Sequence, residues 1–141
     1  METGPLRIVV IESHPLMREA LCDFIASEPD LKLLAGVPNG TKALKRVVAL
    51  NPDVILFALG NPGLGDLDTL VALRRALPGT FLLALVTDEA PGQEQVALQA
   101  GADAVLKKTV QRAALLRGMR EKWGLHTQTV KTNNPEMNPW M

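Results

Sequence analysis

The sequence predicts an α/β domain built on a doubly wound, five-stranded parallel sheet with strand order 2-1-3-4-5. Short apolar runs alternate along the chain with segments whose apolar residues repeat at helical spacing. Proline, glycine and asparagine separate most of these segments, as expected for the turns of βα units. Since crossovers between parallel strands are right-handed, such a series of units winds into an open sheet of this order.

The first half of the chain predicts two strands and two helices. Residues 6–11 form an apolar run typical of a buried strand, and Pro15 follows as a first-turn helix residue. The apolar positions of this helix repeat at helical spacing and are Leu16, Met17, Ala20, Leu21, Phe24 and Ile25. A second strand is predicted at 31–36, where Lys32 interrupts the apolar run as an edge strand permits. The second helix, 40–50, has the inward positions Ala43, Leu44, Val47 and Val48.

The second half predicts further strands, each followed by a helix. The strands are predicted at 53–59, 80–86 and 104–107, and the helices at 66–77, 91–100 and 110–123. The strand at 80–86 is nearly all apolar, which favours a central position in the sheet. Gly101 is predicted to end the helix that precedes the last strand. The apolar positions of the third helix are Leu67, Leu70, Val71 and Leu77. Those of the last helix are Leu115, Leu116, Met119 and Trp123.

Length, composition and charge limit the possible classes of protein. Of the 141 residues, 1–123 predict one domain, and 124–141, a polar stretch without periodicity, predict a flexible tail. The 15 Lys and Arg residues balance the 15 Asp and Glu residues, so no overall field favours nucleic acid or an acidic membrane. The single cysteine, Cys22, has no disulfide mate, and no apolar stretch reaches the length of a membrane span. A cytoplasmic location is the resulting expectation.

Three ordered stretches carry the strongest functional signal. They are residues 11–18 (IESHPLMR), 53–66 (DVILFALGNPGLGD) and 101–108 (GADAVLKK). Together they resemble the first strand end, the third strand with its loop, and the last strand of NarL/FixJ-type response-regulator receiver domains. The resemblance extends over about 5–123 and implies a flavodoxin-like (CheY-like) fold. It also implies a place in two-component signal transduction, where a histidine kinase phosphorylates an aspartate of the receiver.

The resemblance implies a phosphorylation pocket in which an acidic pair and the acceptor aspartate hold magnesium, while a hydroxyl and a lysine contact the phosphoryl group. The corresponding positions of this chain are Glu12, Ser13, Ala58, Thr87 and Lys108. The methyl group of Ala58 cannot attack phosphorus. Ser13 replaces a carboxylate, which leaves one acidic ligand where magnesium needs several anionic oxygens. The pocket is therefore predicted to be degenerate, with no catalytic residue, metal or cofactor.

Loss of phosphoryl transfer favours a pseudo-receiver, a non-enzymatic module that binds a protein partner or a second copy of itself. Without a phosphoaspartate to contact, Lys108 is expected to form a partly exposed ion pair with Glu12. The switching aromatic of the family's last strand is replaced by Val105, which cannot make the same ring movement. Receivers commonly bind through the fourth helix, fifth strand and fifth helix, where Arg112 and Arg117 are the candidate interface residues.

Other functions stay open from the sequence. The chain fits the receiver portion of a NarL/FixJ-type DNA-binding regulator, but no helix pair or basic stripe follows Trp123, so direct nucleic-acid binding by this chain is not predicted. A small-ligand sensor would use the former acidic pocket. An active phospho-switch would need another acceptor, such as Asp66 or Asp68, for which helix capping is the simpler role. The loop 60–65 lacks the Lys-Ser/Thr of a P-loop.

Overall fold

The computed structural model describes residues 4–60, 64–87, 92–108 and 113–121, and in these residues strands alternate with helices. The strands are β1 (Leu6–Ile11), β2 (Leu31–Val37), β3 (Val54–Ala58), β4 (Phe81–Val86) and β5 (Ala104–Lys107). The helices are α1 (Pro15–Ala26), α2 (Thr41–Leu50), α3 (Leu64–Ala76), α4 (Gln93–Ala100) and, at 113–121, α5. Each predicted strand and helix is present, whereas Trp123 and the predicted tail, 124–141, lie outside the described residues. In the described part of the chain, no helix is long and apolar enough to cross a membrane.

The sheet has the predicted order, β2-β1-β3-β4-β5, and its neighbouring strands are all parallel. β4 is buried along its whole length and lies between β3 and β5, which confirms its central position. β2 lies at one edge, where Lys32 is exposed as predicted. The pairing of β1 with β2 shifts between Ile8 and Val9. This shift leaves Leu34 as an extra residue of β2, a bulge that the apolar pattern does not predict.

Two hydrophobic cores lie on the two faces of the sheet. Side chains alternate between them along β3, so that Phe57 enters one core and Leu56 and Ala58 enter the other. The helix residues of the first core are Ala43, Val47, Leu70, Leu73 and Ala97, and those of the second are Ile25, Leu115, Leu116 and Met119. Because both faces are covered, polar groups of the central strands meet solvent mainly at the strand ends.

Close approaches between elements explain why two positions are occupied by glycine. Gly101 ends α4 with a φ of 127°, and a Cβ there would lie 2.8 Å from the Cβ of Arg74, so the predicted closure by this glycine is confirmed. A Cβ at Gly36 of β2 would lie 2.3 Å from the Sγ of Cys22, which shows how closely α1 packs on this strand. Burial raises the pKa of the Cys22 thiol. The cysteine therefore behaves as a packing residue.

The first turn of α1 differs from the apolar pattern of the sequence. Leu16 and Met17 are 79% and 48% exposed, and Ala20 is also exposed. α1 begins beside the carboxyl end of β1, and its fully buried residue, Ile25, lies near its other end. Helical spacing of apolar residues therefore overestimates how much of this helix packs on the sheet.

Candidate functional site

The carboxyl ends of the strands form one edge of the sheet, here called the carboxyl edge. Glu12 and Ser13 follow β1, Ala58 ends β3, and Thr87 and Lys108 follow β4 and β5. In open α/β sheets ligands bind at this edge, at the point where the strand order reverses. That point lies between β1 and β3 in this chain. The fold thus brings the predicted pocket residues to the edge where a site is expected.

Glu12 is a buried carboxylate at the carboxyl edge, only 5% exposed. Its Oε2 accepts a hydrogen bond from the backbone N–H of His14 at 3.0 Å. The Nζ of Lys108 lies 3.9 Å from Glu12 Oε1, so the expected ion pair is present without a direct hydrogen bond. The pair is less exposed than expected from the sequence, because burial of the carboxylate leaves only the lysine partly exposed. Arg18 Nη1 also donates to the Glu12 carbonyl oxygen at 2.8 Å.

Ala58 places a methyl group at the end of β3. The residue is 4% exposed and pairs with Leu85 of β4. The N–H of Leu59 continues the ladder by donating to the Leu85 carbonyl at 2.9 Å. The methyl group of Ala58 is part of the core that α1 and α5 cover. A methyl group has no lone pair, so this strand end offers no nucleophile.

Ser13 is exposed, and its Oγ accepts a hydrogen bond from the N–H of Asn39 at 3.2 Å. Magnesium, which the family resemblance implies for this edge, requires hard anionic ligands in octahedral arrangement. Among the predicted pocket positions only Glu12 offers a carboxylate, and its Oε1 lies 3.9 Å from the Nζ of Lys108. Among the described residues, no group of three or more His, Cys, Asp or Glu side chains could hold a metal. Glu12 and Ser13 therefore do not fit a magnesium site.

Two side chains that are not singled out by any sequence pattern connect the loops of the carboxyl edge. Gln93, the first residue of α4, accepts a hydrogen bond from the N–H of Thr87 at 3.0 Å and donates to the Gly60 carbonyl at 3.2 Å. Asn39, in the loop after β2, donates through Nδ2 to Oδ1 of Asp66. The sequence signal that could have identified Asn39 and Gln93 is weak, because polar residues are common in turns just before a helix and at its start.

Asp66 lies in the first turn of α3, as predicted, where a carboxylate favours the helix dipole, and its side chain also contacts residues outside the helix. Its Oδ2 accepts a hydrogen bond from the N–H of Gly60 at 2.5 Å, and its Oδ1 accepts one from Asn39. The carboxylate therefore bridges the loops that follow β2 and β3. Asp68, the other carboxylate considered as a substitute acceptor, is exposed.

Two of the candidate interface residues, Val105 and Arg117, lie in the described part of the chain. Val105, in β5, is partly buried and packs against the first core. Arg117 is exposed on α5, and Arg112 lies outside the described residues. The described structure thus leaves Arg117 as an accessible charge on the predicted binding face.

A cleft of about 270 Å³ lies at the opposite edge of the sheet, near the amino ends of β1 and β3. It includes Arg7 and Asp53. The guanidinium of Arg7 donates to the carbonyl oxygens of Leu50 and Asn51 at 2.8 Å each, and the Arg7 N–H donates to Asp53 Oδ2 at 2.9 Å. These bonds fasten the end of α2 to the sheet, and the cleft is separate from the predicted pocket.

Comparison with protein families shows which family this chain matches. The model of the response regulator receiver domain matches residues 8–120. The chain belongs to the response-regulator receiver family. The receiver is 32% identical over 120 residues to the nitrate/nitrite response regulator protein NarL of Escherichia coli K12, and the alignment covers 83% of this chain and 54% of that protein. It is 30% identical over 115 residues to the nitrate/nitrite response regulator protein homolog of Haemophilus influenzae, covering 82% of this chain and 55% of that protein.

Solved structures confirm the flavodoxin-like (CheY-like) fold of the receiver. The signal receiver domain assigned to NarL of Mycobacterium tuberculosis superimposes with a TM-score of 0.75 at 27% identity, covering 86% of this chain and 98% of that chain. The response regulator domain of Thermotoga maritima CheB gives a TM-score of 0.74 at 24% identity, covering 85% of this chain and 97% of that chain. This second likeness concerns the fold alone.

The receiver spans about half the length of the curated relatives it matches. The family also includes proteins named as enzymes, such as protein-glutamate methylesterase/protein-glutamine glutaminase 1 of Syntrophus aciditrophicus, to which the receiver is 29% identical over 105 residues. That alignment covers 73% of this chain and 30% of the methylesterase. Each of these curated relatives is longer than the part that aligns with the receiver.

Proposed function

We propose that this chain is a pseudo-receiver, a receiver domain that acts in two-component signalling through protein–protein contacts and without phosphorylation of its third strand. The observation that carries the proposal is Ala58. It ends β3, where the family resemblance places the acceptor aspartate, and its methyl is buried in the core. A phosphoaspartate requires a carboxylate nucleophile at that position, which a methyl group cannot replace.

The charges around Ala58 support the same proposal. Lys108, the cation expected to contact a phosphoryl group, lies 3.9 Å from the buried carboxylate of Glu12. Ser13 is neutral, so the two positions after β1 contribute one negative charge in place of two. Phosphoryl transfer depends on a cation that neutralises charge on the transferred group. Both the nucleophile and the cation site therefore have to be rebuilt before this edge could be phosphorylated.

The proposal predicts that the purified chain is not phosphorylated by acetyl phosphate in the presence of magnesium. Intact-mass spectrometry should show no mass gain of one phosphoryl group. The Ala58→Asp variant should be labelled poorly, because it regains the nucleophile without the second acidic ligand. Adding Ser13→Asp should increase labelling substantially, since the rebuilt acidic pair can hold the ion that offsets charge on the phosphoryl group.

The same experiment contains the result that would contradict the proposal. Stoichiometric, base-labile labelling of the unmodified chain would show that another acceptor is active. Peptide mapping would then be directed at Asp66 and Asp68, the carboxylates at the start of α3. Equal labelling of the single and double variants would instead show that Ser13 has little influence.

A second candidate function is the receiver portion of a NarL-type DNA-binding regulator. It is favoured by the curated relatives, of which this chain spans about half. An immunoblot of the source cells with an antibody raised against this receiver would test it. A native protein much larger than 141 residues supports this candidate, and a protein of that size contradicts it. The two functions are compatible, because an unphosphorylated receiver can also control an attached domain through protein contacts.

A further inference from the structure

Four loops at the carboxyl edge have a backbone N–H that already donates to a side chain of the same chain. The donors are the N–H groups of His14, Asn39, Gly60 and Thr87, and the acceptors are Glu12 Oε2, Ser13 Oγ, Asp66 Oδ2 and Gln93 Oε1. The donor–acceptor distances lie between 2.5 and 3.2 Å. Backbone N–H groups at such an edge are the groups with which α/β proteins hold anions. In this chain these four are occupied by internal acceptors.

Asp66 is the charged member of this set and contacts two loops. Its two carboxylate oxygens accept from the Gly60 N–H and from the Asn39 side-chain amide, so both donors face a negative charge. Charge-assisted hydrogen bonds of this kind are stronger than neutral ones. Asp66 thereby links the loop after β2, the end of β3 and the first turn of α3.

Gln93 continues the connection toward β4. Its side-chain amide accepts from Thr87 N–H and donates to the Gly60 carbonyl. Gly60 therefore has its N–H bound by Asp66 and its carbonyl bound by Gln93. We name the set Ser13, Asn39, Asp66, Gly60, Gln93 and Thr87 the edge network. It forms a continuous series of hydrogen bonds across the loops that follow the first four strands.

We propose that the edge network closes the carboxyl edge to external anions, with the Asp66 carboxylate taking the place of an anionic ligand. Gly60 and Thr87 then keep one arrangement without phosphate, because their N–H groups are bound to Asp66 and Gln93. The inference rests on the proposed function and deepens it, since it also removes control of this edge by small anions. It makes Asp66 and Gln93 positioning residues for Gly60 and Thr87.

The test measures amide hydrogen exchange of the ¹⁵N-labelled chain with acetate, phosphate or chloride at equal ionic strength. In the unmodified chain, Gly60 and Thr87 should be protected, and none of the anions should change their exchange or their chemical shifts. Asp66→Ala should increase Gly60 exchange about tenfold or more, because one charge-assisted hydrogen bond is lost. Acetate, which supplies a carboxylate, should restore part of that protection, whereas chloride should not.

Matched variants separate this role from a general loss of stability. Asp68→Ala removes an exposed carboxylate from the same helix and should leave Gly60 protected. Gln93→Ala should expose the Thr87 amide to exchange, whereas Gln95→Ala, at an exposed position of α4, should not. If Asp66→Ala fails to fold by circular dichroism, Asp66→Asn keeps the shape without the charge, and intermediate loss of Gly60 protection is expected.

Two results would overturn the inference. One is unchanged Gly60 protection in a folded Asp66 variant. The other is a shift of the Gly60 or Thr87 amide when acetate or phosphate is added to the unmodified chain, which would support an anion sensor instead. Because the measurement uses no phosphodonor, it is independent of the phosphorylation test. An unprotected Gly60 in an unphosphorylated chain contradicts the edge network alone, and phosphorylation with Gly60 protected contradicts the proposed function alone.

Discussion

Arg74 lies on α3, and its side chain forms hydrogen bonds with residues of two loops outside that helix. Its Nε donates to the Gly101 carbonyl at 2.9 Å, and its Nη2 contacts Asp103 Oδ2 at 2.5 Å. Its Nη1 donates to the carbonyl oxygens of Pro78 and Thr80 at 3.0 Å each. The planar guanidinium can serve all these acceptors at once because its donors point in fixed directions. One side chain thus fastens α3 to the loops that precede β4 and β5.

We predict that Arg74→Ala lowers the free energy of unfolding by about 1.5–3 kcal/mol, the range for hydrogen bonds to charged groups. Arg74→Lys should recover less than half of this loss, because an ammonium group cannot reproduce the guanidinium geometry. Urea unfolding monitored by circular dichroism measures both. Arg75→Ala, at the exposed neighbouring position, is the control and should change stability by about 0.5 kcal/mol or less. Equal effects at the two arginines would show that the contacts of Arg74 contribute no net stability.

At the scale of elements, one arginine fastens α5 to the turn between α1 and β2. Arg120 donates to both carboxylate oxygens of Asp30 at 2.7 Å and to Glu28 Oε1 at 3.0 Å. The hydrogen bond from Arg120 holds the pKa of the Asp30 carboxyl below its usual value of 3.8. The Asp30 side chain is 54% exposed, so solvent screening limits the contribution of the pair to about 1 kcal/mol or less.

Because the pKa of Asp30 is lowered, its contribution to the free energy of unfolding depends on pH. A carboxyl group whose pKa is lower in the folded state contributes stability above its unfolded pKa and loses it as the pH falls through the folded value. Arg120→Ala should therefore destabilise the chain at neutral pH, and the difference from the unmodified chain should shrink as the pH falls below 3.8. NMR titration should also show the Asp30 pKa rising in the variant. Arg117→Ala, on the same helix, is the control, and an unchanged Asp30 pKa in Arg120→Ala would contradict the prediction.

At the scale of the whole molecule, the proposed binding face lies at the β5 end of the sheet and shares α4 with the carboxyl edge, where Gln93 begins that helix. That face comprises α4, β5 and α5, and it lies on the side of the sheet opposite the edge strand β2. A receiver with no phosphorylation to shift its conformation should present this face in one dominant state. Binding should then depend on the charges of the face and not on the chemistry of the pocket.

We predict that Arg117→Glu combined with Arg112→Glu slows association about tenfold while leaving the fold intact, because opposed charges accelerate encounter. Sedimentation velocity measures self-association, and surface plasmon resonance measures the association rate of a purified protein partner. Lys32→Glu, an exposed charge reversal on β2, is the control and should have no such effect. Unchanged association of the folded double variant, together with loss of binding on changing Glu12 and Lys108, would place the functional surface at the carboxyl edge.

Local patterns were sufficient for the architecture of this receiver because each βα unit carries its own signals. The apolar runs, the breakers between them and the right-handed crossover rule predict the order β2-β1-β3-β4-β5 and the central position of β4. They do not predict the bulge at Leu34 or the exposure of Leu16, since both depend on how far one element overlaps its neighbour. Helical spacing says which side chains share a face, but not whether the sheet extends beneath them.

The sequence by itself determined that position 58 offers no nucleophile, because the identity of Ala58 settles that chemistry wherever the strand ends. The family resemblance also led to the expected pairing of Lys108 with Glu12. Only the tertiary structure decided what occupies the backbone donors of the carboxyl edge. Asn39, Asp66 and Gln93 lie far apart along the chain and meet through strands that are not consecutive. Their hydrogen bonds depend on distances between loops, and local residue patterns carry no information about those distances.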